Sequence, residues 1–97
     1  MAKHWYRIEM GEDGKRGVCG SSQLDLDEML KQLSTAAYIR LDDMFYRDSQ
    51  NQFRPWTDWE PRLEPTGLIR CSSIRTVMPF KGTPPVISQG GRSDGPA

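Results

Sequence analysis

The stretch that decides the fold class runs from residue 21 to residue 47 and reads SSQLDLDEMLKQLSTAAYIRLDDMFYR. In its first half, apolar residues recur at the i, i+3, i+4, i+7 and i+11 spacing of one helix face: Leu26, Met29, Leu30, Leu33 and Ala37. Ser22 or Asp25 can cap this helix, because a short side-chain oxygen accepts amide hydrogens of the first turn. After Tyr38 the pattern alternates, with Ile39, Leu41 and Phe45 on one side. We therefore predict an amphipathic helix from about Leu24 to Ala36, followed directly by a half-buried strand.

Shorter strand-like segments flank this stretch. HWYRIEM (4–10) is rich in β-compatible residues and ends at the glycine-rich segment GEDGKRG (11–17), after which residues 18–20 predict a brief second strand. Pro55, Pro61 and Pro65 prevent a long regular element, since each removes a backbone donor. LIRCSSIRTVMPF (68–80) predicts two strands joined by one tight turn at its paired serines.

The predicted fold is α+β. It is a small antiparallel sheet or partly closed β-barrel of four to five short strands, with the one amphipathic helix packed on an open side. We expect a single compact domain over residues 1–82, because a chain of 97 residues has no room for a second core. Residues 83–97 are rich in Gly, Pro and Ser and predict a disordered tail. Its prolines usually mark a linker, with an extended ligand for a partner's groove as the alternative.

Charge and cysteine content limit the class of protein. The 13 basic and 13 acidic side chains give no net charge, so nothing global attracts the chain to nucleic acid or to an anionic membrane. Charged residues interrupt the start, MAKHWYRIEM, which predicts neither a signal peptide nor a membrane anchor. Cys19 and Cys71 are far apart and outside any CxxC pair, which favours free thiols in a reducing compartment. We expect a soluble, cytoplasmic protein.

The sequence offers little for catalysis or for cofactor binding. His4 is the single histidine, so any Ser-His-Asp or Cys-His unit would have to use it, and no nucleophile elbow is recognisable. One histidine and two separated cysteines are a poor ligand set for zinc. GEDGKRG lacks the spacing of a phosphate-binding loop. We predict no enzymatic activity, no metal and no cofactor.

The end of the predicted domain resembles small β-barrels. Gly67, Leu68 and Ile69, two small polar residues and then Ile74 follow the order in which Src-homology-3 domains place a short strand, a 3₁₀ turn and a closing strand. Trp56 or Trp59 lies where those domains have a tryptophan. IRCSSIR (69–75) is also similar to the second motif of Sm-type RNA-binding proteins, although Cys71 stands where that family has glycine. The resemblance implies closing-strand geometry, and from the Sm side an RNA-binding role.

Arginine and aromatic residues share the second half of the chain. Such mixtures suit a protein interface or single-stranded nucleic acid. The candidate partner-binding residues are Phe53, Arg54, Trp56, Trp59, Arg62, Arg70 and Arg75. Asp58, Glu60 and Glu64 lie among them and would repel phosphates or form structural ion pairs with the arginines. We predict a non-catalytic interaction module or accessory subunit that binds a larger protein, with an RNA- or single-stranded-DNA-binding small β-barrel as the alternative.

The segment RPWTDWEP (54–61) leaves one question open. Each tryptophan can cover about 150 to 250 Å², a large share of a small core. On an extended chain Trp56 and Trp59 would project to opposite sides, whereas one helical turn would bring them to the same side. We expect one of them in the core and the other partly exposed at an interface. The oligomeric state is equally open at this level.

Overall fold

The computed structural model of the chain describes residues 3–11, 16–88 and 95–96. Within these residues it contains six strands, two helices and one 3₁₀ turn, which confirms a small, sheet-rich α+β fold. In chain order the elements are β1 (His4–Met10), β2 (Arg16–Ser22), α1 (Leu26–Thr35), β3 (Tyr38–Arg47), β4 (Phe53–Pro55), α2 (Trp56–Trp59), β5 (Gly67–Arg70), the 3₁₀ turn (Cys71–Ser73) and β6 (Ile74–Pro79). Most of the predicted turn GEDGKRG, residues 12–15, lies outside the described residues.

The six strands form one antiparallel sheet in the order β4-β3-β2-β1-β6, with β5 paired to the first half of β3. The predicted strand, tight turn and strand after Gly67 are confirmed as β5, the 3₁₀ turn and β6. The predicted barrel is wrong, because the sheet is open: in the described residues β6 forms a ladder only with β1. One edge of β3 is divided between β4 and β5, which are three and four residues long and too short to extend the sheet around to β6.

A bulge divides β3 into two halves with different surroundings. The pairs Cys19–Phe45 and Ser21–Asp42 leave one extra residue in β3, and Asp43 has a φ of 48°. An extra residue of this kind bends the strand and changes which way the following side chains face. Beyond it, the consecutive residues Phe45 and Tyr46 are both buried, so aromatic rings cover both faces of the second half of β3.

The main hydrophobic core is formed by side chains of α1 and of strands β1, β3 and β5. Its buried members are Tyr6, Ile8, Met29, Ile39, Leu41 and Ile69. The predicted helix is confirmed, and of the two proposed caps the structure uses Asp25, whose carboxylate accepts from the Glu28 N–H at 2.9 Å. Only Met29 of α1 is fully buried, and Leu33, one turn further along the helix, packs against the same core while partly exposed. Neither described helix has the length and apolar character needed to cross a membrane.

Residues 84–88 run beside β4, although the sequence predicts disorder there. Val86 forms a parallel bridge with Phe53, and Pro84 is buried. The free edge of β4 supplies backbone hydrogen-bonding groups that no local sequence pattern reveals. Residues 89–94 and 97 of the predicted tail lie outside the described residues, and the domain boundary after residue 82 stays a prediction.

Candidate functional site

The predicted partner-binding residues do not form one continuous surface. Phe53, Arg54, Trp56 and Trp59 lie together on β4 and α2, and Arg62 follows in the next loop. Arg70 ends β5 on the other half of β3, and Arg75 lies on β6, beyond β1 in the sheet order. The structure therefore places five of the seven residues on consecutive elements of the chain and separates the last two from them.

The helical turn α2 brings the two tryptophans together. Pro55 has an extended backbone just before the turn, and the Glu60 N–H closes it by donating to the Trp56 carbonyl at 2.9 Å. The ring centroids of Trp56 and Trp59 are 4.8 Å apart, and both rings meet Tyr46 edge to face, at 6.3 and 6.5 Å. Both tryptophans are half-buried, so neither is wholly core nor wholly surface.

Arg54 is buried inside this cluster. Its Nε and Nη2 donate to Asp58 Oδ2 at 3.2 and 3.1 Å, and only 10% of the Arg54 side chain and 5% of the Asp58 side chain are exposed. The pair is the structural ion pair that the neighbouring carboxylates suggested. It fixes α2 on β4, and it neutralises within the fold the guanidinium charge that a partner would otherwise meet.

Phe53 belongs to a second aromatic group on the other side of the sheet. Its ring meets Phe45 and Phe80 edge to face at 5.2 and 5.8 Å, and Trp5 contacts Phe45 at 5.9 Å. The Arg47 guanidinium lies 5.5 Å from the Phe53 ring centroid. These contacts make Phe53 a packing residue that is still half-exposed at the sheet edge.

The outer side of α2 carries an open depression of about 620 Å³, lined by Trp59, Glu60, Arg62 and Leu63, which we call the Trp59–Leu63 surface. Leu63 is 50% exposed, and Arg62 holds Glu60 with two parallel hydrogen bonds of 2.9 and 3.1 Å. The hydrogen bond to Glu60 raises the pKa of Arg62 further above its ordinary value, so this side chain stays charged. Apolar area thus lies beside a balanced pair of charges.

Arg70 and Arg75 have different surroundings. Arg70 donates to the Tyr38 hydroxyl at 3.1 Å, and its guanidinium lies 5.7 Å from the centre of that ring, beside a cavity of about 550 Å³ at the end of α1. Arg75 is exposed on β6 and lines a smaller depression of about 350 Å³ near Gly11. Neither side chain contacts the tryptophan cluster in the described residues.

The thiols and the histidine are dispersed. Burial raises the pKa of the Cys19 thiol to about 11, against the opposing charges of Arg7 and Arg47. Cys71 is half-buried as the first residue of the 3₁₀ turn, and His4 is half-buried at the start of β1. Among residues 3–11, 16–88 and 95–96, no three His, Cys or carboxylate side chains are grouped so that they could hold a metal ion.

The residue most clearly missed from the sequence is Tyr46, which both tryptophans contact. Its signal was the break in alternation at the end of β3, where Phe45 and Tyr46 are adjacent and both large. Asp58 was identified in the sequence as a possible ion-pair partner of the arginines, but the sequence does not show that its partner is Arg54, which lies on β4 before α2 begins.

Comparison with protein-family models, curated proteins and solved structures finds no match for this chain. Its function has to be inferred from the side chains themselves. The features that bear on it are the buried Arg54–Asp58 pair, the exposed Trp59–Leu63 surface and the chain segment that lies along β4.

Proposed function

We propose that the protein is a non-catalytic interaction module or accessory subunit of the cytoplasm, which binds a larger protein through the Trp59–Leu63 surface. The observation that carries the proposal is the exposed Leu63 beside the half-buried Trp59 and the Arg62–Glu60 pair. Protein interfaces favour tryptophan and arginine around an apolar centre with a polar rim. Two free thiols suit a reducing compartment.

The charges around this surface favour a protein partner over nucleic acid. Affinity for a phosphate backbone comes from basic side chains whose charge is not already balanced. Arg54 is paired with Asp58 and Arg62 with Glu60, while Arg70 and Arg75 lie elsewhere on the sheet. The alternative, an RNA- or single-stranded-DNA-binding module, stays a prediction. It is supported by the Sm-like motif and the strand, 3₁₀ turn and strand order of residues 67–79.

The test compares two exposed leucines. Leu63→Glu places a charge in the Trp59–Leu63 surface, and Leu68→Glu makes the same change on β5, where the leucine is 69% exposed. The tagged full-length chain is used to capture partners from the native cell, and a recovered partner is purified and titrated against each variant. A central interface residue contributes about 2 kcal/mol or more, so L63E should weaken binding about 30-fold.

Two outcomes would contradict the proposal. In the first, L63E and L68E bind the purified partner as tightly as the unmodified chain does. In the second, no protein binds, and the chain instead binds a single-stranded oligonucleotide with an affinity that falls steeply as salt rises. Circular dichroism spectra of both variants show whether either substitution unfolds the domain.

A further inference from the structure

The outer edge of β4 is occupied by residues 84–88 of the same chain, PPVIS, which we call the tail segment. Val86 bridges Phe53 in parallel, and the Ile87 N–H donates to the Phe53 carbonyl at 2.9 Å. Main-chain pairing of an extended segment at the edge of a sheet is a general mode of peptide recognition, in which side-chain sites next to the edge add selectivity.

Side-chain contacts extend the pairing on both sides of Val86. Pro84 is buried, and the Ser88 hydroxyl donates to Asp58 Oδ1 at 2.8 Å. Asp58 therefore uses one carboxylate oxygen for Arg54 and the other for the tail segment. A buried proline, a β-branched residue at the bridge and a hydroxyl two residues later define the chemistry that this edge accepts.

The chain also covers the neighbouring tryptophan. Gly95 is buried with a φ of 92°, and a Cβ atom added there would lie 2.6 Å from Trp59 Nε1. Only glycine has both the backbone freedom and the small size for this position. Residues of the predicted tail thus lie against both β4 and α2.

The outer side of the tail segment is open to solvent, with Ile87 56% exposed and Pro85 and Ser88 exposed as well. The backbone hydrogen bond to Phe53 contributes about 1 kcal/mol net, and the Ser88 bond to the charged Asp58 carboxylate contributes about 1.5 to 3 kcal/mol. Gly82, which has a φ of 81° and no atom near its missing side chain, connects the segment to β6. A short tether holds a weak ligand at a local concentration in the millimolar range, so the segment can stay bound and still be displaced.

We propose that the β4 edge and the Asp58 carboxylate form a peptide-binding groove, which the tail segment fills in cis until a partner segment displaces it. The partner segment is extended and carries proline two residues before a β-branched aliphatic residue, with serine two residues after it. The inference rests on the proposed function, because it names the chemistry of the protein partner. The groove itself can be tested without that partner.

The experiment releases the tail segment within the full-length chain. Ile87→Pro removes the N–H that donates to Phe53, whereas the matched control Ile87→Ala keeps it and shortens an exposed side chain. The probe is a fluorescent synthetic peptide with the sequence of residues 81–88, KGTPPVIS. We expect it to bind I87P at least tenfold more tightly than the unmodified chain or I87A, since the tail no longer competes. A probe that itself carries I87P should bind none of them.

A second variant keeps the test valid if I87P fails to fold. Ser88→Asp places a second carboxylate beside Asp58 and should release the segment by charge repulsion, with the same gain in peptide affinity. Equal peptide affinity for the unmodified chain, I87A and the folded release variants would overturn the groove. A dimer of the unmodified chain that is lost in I87P would overturn the cis occupancy, since the occupant would then be the tail of a second copy. If the peptide binds the release variants as expected but L63E does not weaken binding of the partner, the Trp59–Leu63 surface is overturned and the groove is not.

Discussion

We expect Arg54→Met to lower the free energy of unfolding by about 3 to 5 kcal/mol, because it removes the guanidinium that pairs with the buried Asp58 carboxylate. Arg62→Met is the matched control. Both arginines donate two hydrogen bonds to a carboxylate at similar distances, but 10% of the Arg54 side chain is exposed against 87% of the Arg62 side chain. An exposed pair contributes at most about 1 kcal/mol, because solvent screens it.

The expected loss is large for a domain of this size. A chain of 97 residues should have a total stability of about 5 to 15 kcal/mol. Each 1 kcal/mol shifts the melting temperature of such a domain by about 4 to 8 °C, so R54M should melt at least about 12 °C below the unmodified chain. Replacing both residues, as R54M with Asp58→Leu, should cost less than the sum of the two single changes, because the buried carboxylate is then removed together with its guanidinium partner.

Equilibrium urea unfolding, followed by circular dichroism, measures these differences. The midpoint concentration should fall sharply for R54M and hardly at all for R62M, with similar slopes. If R54M and R62M lower the free energy of unfolding by amounts that agree within about 1 kcal/mol, burial does not distinguish the Arg54–Asp58 pair from the Arg62–Glu60 pair. Strict additivity in the double variant would show that Arg54 and Asp58 contribute independently.

Two further predictions concern titratable groups. The Ser21 hydroxyl and the Lys3 ammonium donate hydrogen bonds to the Asp43 carboxylate at 2.6 and 2.9 Å, and they lower its pKa from 3.8. The ionised carboxylate therefore stabilises the fold fully above pH 3.8, and this stabilisation is lost as the pH falls through the lowered pKa. Asp43→Asn should therefore destabilise the protein at about pH 7, and this loss should shrink as the pH falls through the lowered pKa, whereas a pH-independent loss would refute this. Cys71 should react with a disulfide reagent at pH 8 much faster than Cys19, whose pKa of about 11 leaves about 0.1% thiolate. Cys71→Ser should remove the fast phase, and a single fast phase from both thiols would contradict the burial of Cys19.

The elements with strong local patterns could be predicted from the sequence. The helical spacing from Leu26 to Leu33, the alternation in β3 and the paired serines before β6 each act over a few neighbouring residues. Local patterns of this kind predict an element but not its pairing partner. The open sheet was missed for that reason, since it depends on two short strands sharing one edge of β3.

The candidate site was predicted as a composition and not as an arrangement. Arginines and aromatic residues were identified correctly as neighbours in the chain, but the sequence cannot show that Arg54 turns inward to Asp58 while Arg62 stays in solvent. The contact of Tyr46 with Trp56 depends on the ladder between β3 and β4. Whether this site binds a partner stays a prediction.

The sequence by itself determined the capped helix, the alternation of β3 and the prolines that limit α2 to one turn, because propensity and steric limits act within a few residues. Only the tertiary structure decided that both tryptophans lie on Tyr46, that one arginine is buried, and that the tail segment lies along β4. Those outcomes depend on which distant segments share an edge or a face. These segments meet only in the folded chain, and local sequence patterns do not predict which of them will pack together.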